Sequence, residues 1–258
     1  MERDGADKVV ELSLDGRASR LAVDAAALAA VHWPVLEELE RQWRRRGGRL
    51  VVLLSGPPGS GKTTFAAVWE HLARQGRVNV PLQALPMDGF HYPTAVLDAR
   101  TVTVDGVSMP LRRIKGRPES FDLAAIGASL RALKAGQAVR WPRYDRELHD
   151  PVPDAIPVLD EGVLVIEGLY MLLDEPGWRE LRAWADRGIF VECPADVTRQ
   201  ALLGRGHRQG RSDQEALAHY NLVDRYTGEL VMRRRHGVDV LIRIGPGRRP
   251  EIVQAGHE

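Results

Sequence analysis

The sequence predicts an α/β fold on a five-stranded parallel core sheet flanked by helices, and three observations predict it. Short apolar runs recur at RLVVLLS (49–55), 82–88, GVLVIEG (162–168), GIFVEC (188–193) and VDVLIRI (238–244). Each lacks polar alternation, as parallel strands covered on both faces do. Segments of helical spacing lie between them, which favours a parallel sheet with right-handed crossovers. At 258 residues, 44% hydrophobic and 28% charged, the chain has material for one such domain over 1–258.

Residues 1–47 precede the first run. The polar stretch 1–20 reads as a loose arm or a short hairpin, and 24–45 as a helix with Leu28, Val31, Val35, Leu36 and Leu39 near one face. Pro34 should kink or split that helix, because it has no N–H to give and its ring crowds the preceding turn. After the run 49–55 and a glycine-rich turn, Phe65, Val68, Trp69 and Leu72 recur at helical spacing, with Gly76 as a C-cap. Further helices are expected over 122–135, 176–187 and 194–203. Residues 98–118 form a small insertion. Its TVTVDGVSM alternates around Asp-Gly, so it reads either as a hairpin or as an ordinary surface excursion.

The glycine-rich turn carries chemistry. GPPGSGKT (56–63) fits G-x-x-x-x-G-K-[ST] in full. Gly56, Gly59 and Gly61, with Pro57, Pro58 and Ser60 between them, let the backbone aim its N–H groups at phosphate oxygens. Lys62 reaches the β and γ phosphates of ATP, and the Thr63 hydroxyl ligates Mg²⁺. Thr64 continues into a helix whose positive end faces the same anion. A phosphate-binding loop alone does not separate a kinase from a switch or a motor. The sequence contains no N-K-x-D guanine-reading motif and no L-S-G-G-Q signature.

Two carboxylates end apolar runs. Glu167, in VLVIEG, sits where an acid near Mg²⁺ belongs, and Asp88 closes ALPMD before GFHYP. Both should lie at the carboxyl edge of the sheet, where open parallel sheets bind ligands. Asp88 is either a turn cap or a proton acceptor. Phe90, His91 and Tyr92 surround it, and Arg143, Tyr144, Asp145, Arg146 and His149 in WPRYDRELH (141–149) form a loop or short hairpin, suited to a small polar ligand or else an ordinary charged surface loop. Arg205, Arg208 and Arg211, three apart in RGHRQGRS, read as one flank of a helical lid over 199–230 that closes on ATP.

Bulk properties exclude several classes. The net charge of +1 provides no basic field for nucleic acid, and the arginine-rich clusters at 233–237 and 112–117 are too short to supply one. The lone Cys193 offers neither a disulfide framework nor a metal cluster. The first residues lack the apolar core of a signal peptide, and no stretch approaches the ~20 apolar residues of a membrane span. A cytoplasmic protein without membrane contact is expected.

Four stretches together resemble a known group. GPPGSGKTT, PMDGFHYP, KGRPESFD (115–122) and VLVIEGLYML (163–172) resemble the P-loop kinases of the pantothenate kinase, uridine kinase and phosphoribulokinase group, over roughly residues 48–245. KGRPESFD with IEGLYML is similar to bacterial pantothenate kinase, and PRYDRELH with QGRS to uridine kinase. The combination resembles most a third branch, of nucleoside/nucleotide or fructose-transport-associated kinases. The resemblance implies a P-loop NTPase fold with a helical lid, and transfer of the γ-phosphoryl group of ATP to a hydroxyl. It implies that Asp88 accepts the substrate proton, that the aromatics after it line the acceptor pocket, and that Arg211 with Arg205 and Arg208 belongs to the lid. Lys62 and Glu167 complete the catalytic set. Members of the group are commonly dimers or tetramers, and a homodimer is the expectation taken from them. The chain departs from the pantothenate kinase pattern after Tyr144, is shorter at its C-terminus and carries an insertion at 101–112. A nucleoside or sugar-like acceptor is therefore preferred over a pantothenate-like one. A non-catalytic nucleotide-binding module is the alternative, and it would not need an acceptor-side base.

Overall fold

A computed structural model describes residues 7–14 and 17–253. It opens with a hairpin, β1 (Lys8–Leu14) and β2 (Arg17–Val23), so the described part of the N-terminal arm is a hairpin. The next helix is continuous but changes pitch. α1 (Ala25–Ala27) passes through a π turn, Leu28–His32, into α2 (Trp33–Arg46). Pro34 thus splits the helix without breaking it, and the wider turn absorbs the missing N–H.

β3 (Arg49–Ser55) leads into α3 (Lys62–Ala73), whose Phe65, Val68, Trp69 and Leu72 are buried. β4 (Leu82–Pro86) is two residues shorter than the expected 82–88. Pro86 cannot donate to the ladder, and a 3-10 turn, Met87–Phe90, follows it. Asp88 therefore rides on that turn rather than on the strand. α4 (Thr94–Ala99) precedes the insertion, which is a hairpin: β5 (Thr101–Val104) and β6 (Val107–Pro110). Asp105 and Gly106 both take positive φ, the mirror-image turn that suits a two-residue hairpin loop.

α5 (Leu123–Lys134) is capped by the Asp122 side chain. β7 (Arg140–Asp145) and β8 (Asp150–Pro157) pair as a hairpin with an irregular register at Pro142. β9 (Gly162–Gly168) follows. The helix expected over 176–187 is only a 3-10 segment, Arg179–Trp184. Gly177 is left-handed two residues before it, and Asp186 accepts from the Val51 N–H two residues after it, so both flanks are fixed. β10 (Arg187–Glu192), α6 (Ala195–Arg208), α7 (Asp213–His219), a π turn Tyr220–Asp224, α8 (Arg225–Arg233) and β11 (Val240–Ile244) complete the α/β pattern. β12 (Pro250–Val253) adds an antiparallel edge strand that the sequence reading missed.

The sheet order is β12-β11-β10-β3-β9-β4, and the five strands from β11 to β4 are parallel. All seven residues of β3 and of β9 are buried, so these two strands form the spine. Alternate side chains feed two layers. Leu50, Val52 and Leu54 join the α2, α3 and hairpin side, with Trp33, Leu36 and Trp69. Val51 and Leu53 join the α5 side, with Trp141, Tyr170 and Trp178. The parallel register places Glu167 level with Leu54 and with Pro86. The glycine-rich turn, Glu167 and the turn carrying Asp88 therefore leave the same edge together. Among the described residues no helix is long and apolar enough to cross a membrane.

Candidate functional site

The site starts from the turn between β3 and α3. Ser55 is buried, and its hydroxyl donates to the Leu169 carbonyl at 2.8 Å, tying the base of the turn to the end of β9. Gly59 (φ 76) and Gly61 (φ 93) take the left-handed conformations that curl the backbone and start α3 at Lys62. Four N–H groups at that helix start lack intrahelical acceptors and point along the loop axis.

On this platform the Thr63 hydroxyl donates to Glu167 Oε1 at 3.0 Å. Glu167 is only 7% exposed at the end of β9. These are two hard oxygen donors side by side, the chemistry that suits Mg²⁺. Among the described residues no group of three or more His, Cys, Asp or Glu could hold a metal. An ion here would therefore complete its shell with phosphate oxygens and water, the usual habit of Mg²⁺. Burial pushes the Lys62 ammonium down, and the carboxylates of Glu167 and Asp88 oppose that shift.

Asp88 faces this group from the turn that follows β4, and the Arg146 guanidinium stands 4.0 Å from its Oδ2. A close fit holds it there. The indole of Trp141 donates to the Pro86 carbonyl at 2.8 Å, and Gly89 packs against the backbone of Pro142 so tightly that a Cβ would lie 2.2 Å from its oxygen. The 3-10 turn is thus clamped between β4 and β7.

His91 leaves the turn in an extended conformation and stacks on Phe121, with centroids 3.9 Å apart. Its Nδ1 lies 3.3 Å from the Ser120 carbonyl, which can only accept, so Nδ1 carries the proton and Nε2 is left as an acceptor. Burial pushes this imidazole down to about 4, with Asp88 opposing. Tyr144 sits edge-on to His91 at 5.6 Å and accepts a 2.8 Å hydrogen bond from Lys115 Nζ. From the opposite side α6 and the following turns bring Arg205, Arg211, His219 and Asp224. His219 and Asp224 approach to 3.8 Å, and burial favours the neutral form of each.

These residues line one polar cleft of about 240 Å³. Of the residues expected from sequence, it gathers Pro58, Gly59, Lys62, Thr63, Asp88, His91, Tyr144, Glu167, Arg205 and Arg211. Several others point elsewhere. Both neighbours of His91 miss the cleft, Phe90 as the last residue of the 3-10 turn and Tyr92 as the next residue beyond His91. Phe90 meets Trp141 edge-on at 4.8 Å, and Tyr92 packs with Leu97, Leu111 and Ile114. Alternation along β7 turns Arg143 outward to Asp145, at 3.3 Å. His149 occupies the hairpin loop with φ 56 and contributes its carbonyl, which accepts from Lys115 at 3.1 Å. Arg208 is exposed at the last residue of α6 and does not line the cleft. Gly56 and Ser60 are buried beneath the loop, Pro57 lines a neighbouring cavity, and Thr64 opens toward the β1–β2 hairpin.

Arg146, expected from WPRYDRELH, lines the cleft too, whereas Lys115, Phe121, His219 and Asp224 line it and were missed as site residues. Lys115 could have been found: it is one of four lysines in an arginine-rich chain and opens KGRPESFD. Asp224 could not, because a π turn presents it and nothing in the sequence marks such a turn.

The family model described as phosphoribulokinase/uridine kinase matches residues 51–249. The chain is 36% identical over 234 residues to the uncharacterized protein YggC of Escherichia coli K12, covering 90% of this chain and 94% of that one. It is 32% identical over 124 residues to pantothenate kinase of Agrobacterium fabrum C58, covering 47% of this chain and 36% of that protein. Among solved structures, a protein of Silicibacter sp. TM1040 with the provisional name fructose transport system kinase superposes with a TM-score of 0.70. The two are 32% identical, over 84% of this chain and 98% of that one.

Proposed function

The chain belongs to the phosphoribulokinase/uridine kinase family, and from that premise we propose that it transfers the γ-phosphoryl group of ATP to a hydroxyl of a small polar metabolite. One observation carries the reading. The cleft holds a phosphate platform on one flank, Lys62, Thr63 and Glu167, and a carboxylate, Asp88, on the other. A nucleotide switch has no use for the second flank.

Phosphoryl transfer is mostly positioning and charge stabilisation. The loop N–H groups and Lys62 hold the β and γ phosphates. Thr63 and Glu167 would hold Mg²⁺, which when bound neutralises charge between those phosphates. Arg205 and Arg211 reach the same cleft from the far side and stabilise charge on the transferring group. The acceptor oxygen forms its bond to the γ phosphorus as the bond to the ADP oxygen breaks. The hydroxyl proton passes to the Asp88 carboxylate, which sits on the acceptor side and is about half exposed (46%), so it can return that proton to water. His91 and Phe121 form the aromatic wall of the acceptor site, and Tyr144 offers its hydroxyl there. The residues 199–230 act as the lid, and the enzyme works in the cytoplasm, as a homodimer.

The test is ADP release with ATP and Mg²⁺ over nucleosides, ketohexoses, pentoses, their monophosphates and pantothenate. Release that depends on an acceptor supports the reading. Intact ATP binding with hydrolysis indifferent to every acceptor would favour a non-catalytic nucleotide-binding module.

A further inference from the structure

The charges in the cleft fall into two banks that share Asp88. Lys62 feels Glu167, Asp88, Arg205 and Asp224, the groups of the phosphate platform and the lid. His91 feels Asp88, Lys115 and Arg146, and Tyr144 feels Asp150, Arg146 and Asp88. The second bank lies on the acceptor side of the general-base position: its carboxylates are Asp88 and Asp150, and its cations are Lys115 and Arg146, with Arg112 behind them paired to Asp98. Nothing in the transfer of a phosphoryl group requires cations there, since Lys62 and the lid arginines serve the nucleotide.

The geometry of Lys115 is specific. Its ammonium donates to the Tyr144 hydroxyl at 2.8 Å and the His149 carbonyl at 3.1 Å, both neutral oxygens. An ammonium has three N–H groups, so one remains for a ligand. Because Tyr144 accepts from Lys115, its own O–H is directed away from that contact and is also available as a donor. The Lys115 ammonium stands 4.6 Å from the Tyr144 ring centroid, which fixes both groups. Lys115 begins the turn Lys115–Arg117, whose Gly116 N–H donates to Ser120 Oγ at 3.0 Å and whose Arg117 donates to the Leu222 carbonyl, so the backbone under it is anchored. Lys115, Tyr144 and Arg146 all line the cleft. A held array of donors with positive charge is what recognises a carboxylate or a phosphate.

We propose that the acceptor is itself an anion: a small hydroxy compound bearing a carboxylate or phosphate that Lys115, Tyr144 and Arg146 bind while Asp88 faces its hydroxyl. The inference rests on the kinase reading above and narrows its acceptor. A sugar acid or sugar phosphate fits a cleft of about 240 Å³ lined in this way, and a neutral nucleoside would offer these donors no anionic group.

The experiment uses two sets of acceptors matched in carbon number: glycerol, glycerate and glycerol 3-phosphate, then fructose, gluconate and fructose 1-phosphate. Each is first tested for thermal stabilisation of the full chain with Mg²⁺ and a non-hydrolysable ATP analogue bound. Each is then tested for ADP release with ATP. The expected result is saturable stabilisation by at least one anionic member over its neutral partner. Lys115→Met should reduce that anion's affinity about 10- to 100-fold, the scale of one charge-assisted hydrogen bond. The two arms separate carboxylate from phosphate. The proposal is overturned if no anionic member stabilises more than its neutral partner, or if Lys115→Met weakens both alike. Turnover of a neutral acceptor alone would overturn it and leave the kinase reading standing. Anion binding with no ADP release from any acceptor would support the anion site and count against the kinase reading.

Discussion

Gly89→Ala tests whether the clamped turn is what aims Asp88. An alanine methyl would sit 2.2 Å from the Pro142 carbonyl oxygen, 2.5 Å from its carbon and 2.9 Å from the Arg143 nitrogen. All three are backbone atoms, so no side chain can swing aside. Carbon–oxygen contacts relax only near ~3.3 Å, so the turn and β7 must part by about 1 Å. Overpacking of that kind destabilises by about 1–3 kcal/mol, or roughly 2–10 °C in Tm for a chain of this length. The same displacement moves Asp88 relative to Glu167 and Lys62, and about 1 Å of misplacement lowers turnover about 10²-fold. The assay pairs thermal unfolding with acceptor-dependent ADP release, with Asp88→Asn as the control that removes the carboxylate at unchanged packing. A Gly89→Ala protein with wild-type Tm and wild-type kcat would refute the reasoning, because the contact would then carry neither the turn nor the carboxylate.

Other outcomes follow from the same geometry. Glu167→Gln keeps an oxygen opposite the Thr63 hydroxyl but removes the charge, so the half-saturating Mg²⁺ concentration for turnover should rise about 10- to 100-fold. An unchanged Mg²⁺ titration would remove Glu167 from the metal. His32 is buried against Phe65 at 5.2 Å, and burial holds its imidazole down to about 4. Its folded value lies below its unfolded one, so the stability it permits is present above about pH 6.5 and is lost as pH falls toward 4. Urea melts should lose roughly 3 kcal/mol over that window through this residue, and His32→Phe should flatten the loss. An acid limb of the same slope in the variant would assign it elsewhere.

The five parallel core strands could be read from the sequence because burial on both faces requires uninterrupted apolar runs, and β3 and β9 are buried at every residue. The geometry of the glycine-rich loop was equally legible, since it is local: glycines at 59 and 61 with positive φ, then a helix that starts at Lys62 and Thr63. The aromatic wall of the cleft was only half legible. Which of Phe90, His91 and Tyr92 faces the cleft depends on a 3-10 turn that begins where Pro86 ends β4, and a one-residue change in that boundary exchanges the faces. The same period-2 alternation in β7 selects Tyr144 over Arg143. Lys115 and Asp224 reach the cleft from segments distant in sequence, one on a turn and one on a π turn, and only tertiary packing brings them to Asp88 and Lys62. The 3-10 segment at Arg179–Trp184 and the edge strand β12 were too short for periodicity to identify.

The central claim is that Asp88 serves the acceptor rather than the turn. The most direct measurement is nucleotide affinity and acceptor-dependent ADP release for wild type and Asp88→Asn, at saturating Mg²⁺. The account predicts unchanged ATP affinity with transfer lower by about 10²–10⁴-fold, the scale of a lost general base. Weakened ATP binding with transfer intact would contradict it and make Asp88 a structural cap.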